Sequence, residues 1–415
     1  MRVSASAYDR SVTSSVRPTG TAFGTSASAR PALDRTLVRL AFLIPGGIAL
    51  LLGLDTALLL LGLKAPLTFE RLPQLHAGLM VFGFVGTFIV LERAVAARHW
   101  WGFASPAMLG LGSLVMLSPL PVQVGKGMLV VGMLALLGVY LIVWRRQAAA
   151  ATAIQVLGAV SGLAATALWL AGTDVASLVP GMVSFLVLTI AGERLELARI
   201  SPAVTPAVER LGLAAALALA VSASICPLWP SVGFPLLALS LIGLVVWLFR
   251  FDVATRLVRS RGLPRYMAAC LLSGYVWLVV AAGIWLLMGR VDSGWAYDAV
   301  LHSVFLGFVI SMIMAHAPVI LPAVLRKPLP YRPFLGIPVL LLHVSLALRV
   351  FGDARELPAA VQWGGALNVT ALLLFVVLAV TSVILGPPKV NPLTRTTAPK
   401  ETVKAKTPTP EEPQL

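Results

Sequence analysis

The chain has 415 residues, of which 58% are hydrophobic and only 12% charged, with a mean hydropathy of +0.91. So little charge cannot cover a soluble domain of this size, so lipid must be the solvent for most of the chain. The formal net charge of +15 is spread through loops and tails rather than gathered on one basic surface, which argues against a nucleic-acid partner and makes the basic residues topology signals.

Residues 1–34 are rich in Ser, Thr, Ala and Arg, contain no continuous apolar stretch of the kind a secretory signal needs, and read as a disordered cytoplasmic tail. Apolar runs of roughly the ~20 residues that a bilayer requires then recur between short polar or Pro-containing breaks. They cover 38–61, 73–95, 102–120, 125–144, 151–171, 176–192, 211–229, 233–249, 266–288, 297–319, 333–351 and 360–385. The expected fold is an all-α polytopic bundle of about twelve transmembrane helices filling residues 35–385. A second disordered tail, rich in Pro, Thr and Lys, follows at 386–415.

Orientation follows from the loops with their flanking run ends, counted alternately: those after even-numbered runs carry fifteen Lys and Arg (Arg93 included), those after odd-numbered runs six (Lys126 and Arg349 included). Both termini are therefore expected in the cytoplasm. The densest basic loop holds Arg250, Arg256, Arg259, Arg261 and Arg265. Cys226 and Cys270 fall near opposite faces of this topology, so they are expected to pack rather than to form a disulfide.

The second run ends Phe88-Ile-Val-Leu-Glu-Arg93 and the sixth ends Leu188-Thr-Ile-Ala-Gly-Glu-Arg194, a weak internal echo. Arg93 and Arg194 read as interfacial charges that snorkel to water. Glu92 and Glu193, carboxylates just inside a membrane boundary, are secondary candidates for proton or cation passage, as is Asp55, the chief acidic residue deep in a run.

Four of the five histidines, His76, His302, His316 and His343, fall inside the runs, and His99 lies in a loop. Ionisable residues in a membrane core usually face the bundle interior, a partner or a ligand, and neutral imidazole is the commonest metal ligand. At about 1.5 Å per residue, His76 and His302 sit roughly 5 and 8 Å below the outer boundary and His343 roughly 12 Å below it. Two imidazoles level with each other on different helices are what bis-His coordination of a b-type haem requires. His76 and His302 are thus the leading ligand pair, with His343 as a further outer-layer ligand. Arg71 and Arg349 flank this layer, as counter-charges for haem propionates or as interface anchors. On α-helical geometry His316 lies about 21 Å from His302 and only about 40° around the helix. It reads as a ligand to a second metal, a proton-pathway residue, or a partner for carbonyls freed by Pro318 and Pro322.

The segment Leu75-His-Ala-Gly-Leu-Met-Val-Phe-Gly-Phe84 resembles the second-helix histidine motif of the NnrS family and, more distantly, of haem-copper oxidase subunit I. Leu301-His-Ser-Val-Phe-Leu-Gly-Phe-Val-Ile-Ser-Met-Ile313 and Leu346-Ala-Leu-Arg-Val350 are similar to later NnrS segments. The resemblance implies a haem-bearing protein of a bacterial inner (plasma) membrane, linked to nitric oxide and nitrosative stress, with His76 and His302 as the motif histidines. Haem b is the implied cofactor and copper the second candidate. The sixth to eighth runs contain no histidine, so the copper site of the oxidases has no counterpart there. No soluble redox domain is visible, so an electron-donor protein or a quinone would have to act as partner. The alternative is a twelve-helix secondary transporter, for which Asp55 would be the key residue.

Overall fold

A computed structural model of the protein describes residues 36–199, 204–325 and 327–387, so the expected tails lie outside the described residues except for Gly386 and Pro387. Every regular element among the described residues is helical. In chain order they are α1 (Thr36–Leu60), α2 (Leu72–Ala97), α3 (Ala104–Val115, entered through a 3-10 turn at Trp100–Phe103) and α4 (Val122–Arg146). Then come α5 (Ala150–Leu170), α6 (Val175–Ala198), α7 (Pro206–Ile225) and α8 (Pro230–Phe251). The last four are α9 (Leu263–Met288), α10 (Gly294–Pro322), α11 (Gly336–Ala354) and α12 (Pro358–Leu385).

Eleven of these are long and apolar enough to cross a membrane; α3, with twelve α-helical residues, is the short one. It still runs antiparallel alongside α4. Gly138 is closed over by Trp101, Gly132 by Leu109 and Gly125 by Met116, and Ser105 Oγ donates to Gly132 O at 2.8 Å. The facing residues advance along one helix as they retreat along the other. Small residues let the backbones approach where lipid supplies no hydrophobic drive between helices. The α5–α6 pair is built the same way, with Gly158 against the Phe185 carbonyl and Gly192 against the Ala151 carbonyl.

Proline opens several helices, as at Pro206, Pro230 and Pro358, where the missing N–H would have had no partner in any case. The Glu-Arg sequences of α2 and α6, and the ends of α4 and α8 at Arg145, Arg146 and Arg250, point to one end of the bundle, called here the arginine-rich face. α6 is the most enclosed of the crossing helices, with 78% of its apolar window buried, and forms the pillar around which the others stand.

Two helices leave α-helical geometry at corresponding places. In α2 the residues Gly78–Gly86 form a π-helical stretch, and in α10 the residues Ser303–Ile310 do the same. These underwound turns, bonded five residues back, are uncommon and concentrate at functional sites. One begins two residues after His76 and the other immediately after His302. Helical-wheel arithmetic does not carry through such a stretch, so the 40° relation expected between His302 and His316 does not describe α10.

Candidate functional site

His76 and His302 line one apolar cavity of about 100 Å³. Its walls come from α1, α2, α6, α10, α11 and α12, with Met80, Met182, Phe305 and Leu372 among the apolar lining and Tyr297, Arg349 and Asn368 as further polar lining. The two histidines thus border one cavity from two different helices.

Hydrogen bonding defines the tautomers. His76 Nδ1 is 3.1 Å from the Gly53 carbonyl, and His302 Nδ1 is 2.8 Å from the Asp298 carbonyl and 3.2 Å from Asp298 Oδ1. Carbonyl and carboxylate oxygens only accept, so both Nδ1 atoms carry the proton. No hydrogen bond to Nε2 of either ring occurs among the described residues. A histidine whose Nδ1–H is held by a carbonyl or carboxylate, with Nε2 free, is in the form that binds metals. Asp298 is itself clamped by Arg349, which donates from Nε to Oδ2 at 2.7 Å and from Nη2 to Oδ1 at 2.8 Å. His302 is consequently oriented by a carboxylate and a guanidinium behind it, whereas His76 is oriented by one carbonyl.

Asn368 adds an unmet valence. Its Nδ2 donates to Leu342 O and to Ser345 Oγ, which leaves Oδ1 buried without a partner at the cavity wall. Buried polar atoms in this condition call for an explanation such as a ligand or water. Apolar walls, two imidazoles whose Nε2 atoms make no hydrogen bond among the described residues, a guanidinium and an orphaned amide oxygen match the donor chemistry that a macrocycle with a polar edge would use. They also fit a small metal complex.

The other expected site residues fall elsewhere. His343 is fully engaged: Trp277 Nε1 donates to its Nδ1 at 3.0 Å, and its Nε2–H is 3.2 Å from Ser311 Oγ, which in turn donates to the Cys270 carbonyl. Both nitrogens are committed and the ring is not part of the cavity wall, so the expected outer-layer role is not met. His316 is committed as well. Its Nδ1 must donate to Met312 O at 2.9 Å, so its Nε2 accepts from Arg194 Nη1 at 3.3 Å, which makes the ring neutral and closes it to a metal. Arg71 donates to the Ser118 and Leu120 carbonyls and fastens the α3–α4 connection instead of lining the cavity. Asp55 Oδ1 accepts from the Leu67 N–H and so ties the α1–α2 connection, with Oδ2 buried and unpartnered. Among the described residues no group of three or more His, Cys, Asp and Glu could hold a metal ion, so any metal here would rest on the histidine pair. Both cysteines are free and buried.

Toward the arginine-rich face the two Glu-Arg sequences meet in a buried network. Arg93 Nη2 lies 2.8 Å from Glu92 Oε1 and 3.2 Å from Glu193 Oε1. Arg194 forms a two-pronged pair with Asp252, Nε to Oδ2 at 2.8 Å and Nη2 to Oδ1 at 2.7 Å. Asp252 also accepts from Tyr275 Oη at 2.6 Å and from the Ala254 N–H at 2.8 Å. Burial by itself would push the Asp252 carboxyl up, but Arg194, Tyr275 and Ala254 together hold it below the usual carboxylate range. Arg194 is thus a structural partner with a committed carboxylate, not a snorkelling charge.

Asp298, Asn368, Asp252 and Tyr275 were not anticipated. Asp298 had a sequence signal, since it stands one helical turn before His302. Asp252 stands at the head of the densest basic loop and reads there as a boundary charge.

The chain matches no curated protein and no solved structure. It does match, over residues 39–384, the family described as a domain of unknown function, DUF8744. Because that match runs from the first turn of α1 to the last turn of α12 and takes in both histidines and the charge network, the chain belongs to the DUF8744 family.

Proposed function

We propose that the protein binds a b-type haem between His76 and His302 and serves redox or nitric oxide chemistry in the membrane, with copper as the alternative metal. The observation that carries this reading is the shared cavity, lined by two histidines of defined tautomer whose Nε2 atoms make no hydrogen bond among the described residues. When bound, a haem supplies one-electron chemistry and a site for diatomic ligands. His302 would be the more firmly held ligand, because Asp298, itself clamped by Arg349, fixes its ring. Arg349 and Asn368 would meet the polar edge, and Met80, Phe305 and Leu372 would keep water from the faces. Electrons would come from a partner protein or a quinone. The relation to the NnrS family rests on the three motif segments. A secondary transporter is less well supported, since Asp55 belongs to a loop attachment and the cavity wall is apolar apart from His76, Tyr297, His302, Arg349 and Asn368.

The test is the oxidised and dithionite-reduced absorption spectrum of protein purified in detergent after expression with ample haem, beside His76→Ala, His302→Ala and Asp298→Asn. Both alanine variants are expected to lose a b-type signature. Asp298→Asn is expected to keep it with an affinity about 10–100-fold weaker, the usual effect of removing a group that orients a ligand. A colourless wild type that binds no copper would sink the reading.

A further inference from the structure

We propose that Glu193, which shares Arg93 with Glu92, is a proton-exchange site reached from the arginine-rich face, and that Glu193 holds the proton at neutral pH. Two carboxylates from different helices face one guanidinium, at 2.8 Å for Glu92 and 3.2 Å for Glu193, with side-chain exposures of 25% and 17%. Among the described residues, the other charged or titratable groups that act on the pair are Arg194, His316, Glu196 and Tyr140. Arg194 is closed against Asp252, and His316 is neutral because its tautomer is dictated by Met312 O and Arg194. Glu196, 61% exposed and 3.6 Å from Arg93 Nη1, lies at the solvent edge. Among the described residues this largely buried set therefore carries one carboxylate more than its guanidinium can neutralise. Two carboxylates sharing one site do not both ionise at low cost, and an unpaired charge in this setting costs far more than a neutral acid.

Hydrogen bonding identifies which of the two is neutral. Glu92 Oε1 accepts a charge-assisted bond from Arg93, whereas Glu193 Oε1 is buried without any hydrogen bond. Tyr140, on α4, is completely buried, its hydroxyl makes no well-formed hydrogen bond beyond an approach to Thr189, and it stands within the field of Arg93, Glu193 and Glu92. A buried phenol in the same field as a buried carboxylate oxygen that lacks a hydrogen bond favours a neutral acid over a second carboxylate there. A crevice lined by Gln147, Thr152, Glu196 and Arg199 opens at this face and reaches Glu196, which lies one helical turn beyond Glu193 and within 3.6 Å of Arg93. Glu196 is therefore the group through which a proton would pass between solvent and the pair. The proposal does not depend on the cavity at His76 and His302 holding any cofactor, and a colourless protein would leave it standing.

Infrared spectroscopy of the full chain in lipid vesicles at neutral pH, in H₂O and then D₂O, tests it. The wild type is expected to show a protonated-carboxyl C=O stretch that moves on deuteration. Glu193→Gln should abolish that band with no change in melting temperature, because the amide has the shape of the neutral acid. Glu92→Gln should abolish it too, since Arg93 then pairs with Glu193 and ionises it. Absence of an exchangeable band in the wild type, or its survival in Glu193→Gln, would overturn the assignment. So would a band present in choline buffer and missing in sodium or potassium, which would assign the site to a metal cation. The wild-type deuteration result and Glu92→Gln decide the matter even if Glu193→Gln fails to fold.

Discussion

Replacing Asp252 by Asn tests whether the buried pair with Arg194 holds the arginine-rich end of the bundle together. The side chains are 1% and 5% exposed, respectively, and the carboxylate accepts four hydrogen bonds, from Arg194 Nε and Nη2, Tyr275 Oη and the Ala254 N–H. An amide keeps only one of the two acceptor oxygens and turns an NH₂ toward donors. It leaves the guanidinium enclosed without a counter-charge, a change worth about 3–5 kcal/mol in buried pairs. Arg194→Gln should cost a similar amount for the mirrored reason. The double variant should cost less than the sum of the two by about 2–3 kcal/mol, since residues in one network couple strongly. Equilibrium unfolding in mixed micelles, followed by tryptophan fluorescence, reads all three. Additivity to within about 0.5 kcal/mol would refute the reasoning, because that is how sites behave when they do not interact. The same pair predicts a pH dependence. The folded carboxyl is held below its ordinary value, so its stabilisation is complete above about pH 4 and is lost as pH falls through the lower folded value. Asp252→Asn should lack that acid limb, and an unchanged acid limb in the variant would contradict the assignment.

His343→Ala should leave any cofactor spectrum unchanged. It should nonetheless lower stability by about 1 kcal/mol, because the half-buried Trp277 Nε1–H loses its partner. Gly307→Ala should lower stability by about 1–3 kcal/mol, since its methyl would meet Trp277 Cγ at 2.4 Å and the indole is held by His343. Gly47→Ala, with nothing within 4 Å of the new methyl, is the matched control and should be neutral or stabilising in the same unfolding assay.

What could be read along the chain was whatever depends on neighbours in sequence. Apolar runs of membrane length located the twelve helices to within a few residues at most boundaries, because the requirement to satisfy backbone polar groups in lipid acts on each segment separately. Only α3 came out markedly shorter than its run, ending at Val115 rather than 120. His76 and His302 were visible as a pair because a rise per residue converts position into depth without any knowledge of packing. His316 and His343 were misread because depth says nothing about azimuth, and azimuth was reset by the π-helical stretch at Ser303–Ile310 and decided by neighbours such as Trp277 and Ser311. The Glu-Arg echo was noticed as two boundary dipeptides, yet its meaning lay in partners far along the chain. Arg194 pairs with Asp252 at a separation of 58 residues and meets His316 at 122. By itself the sequence determined that the chain is a helical membrane protein, how its helices alternate and which histidines lie level. Only the tertiary structure decided which ring nitrogens are free and which carboxylates lack a counter-charge, because hydrogen bonds and ion pairs act over about 3 Å between helices whose rotations no one segment encodes.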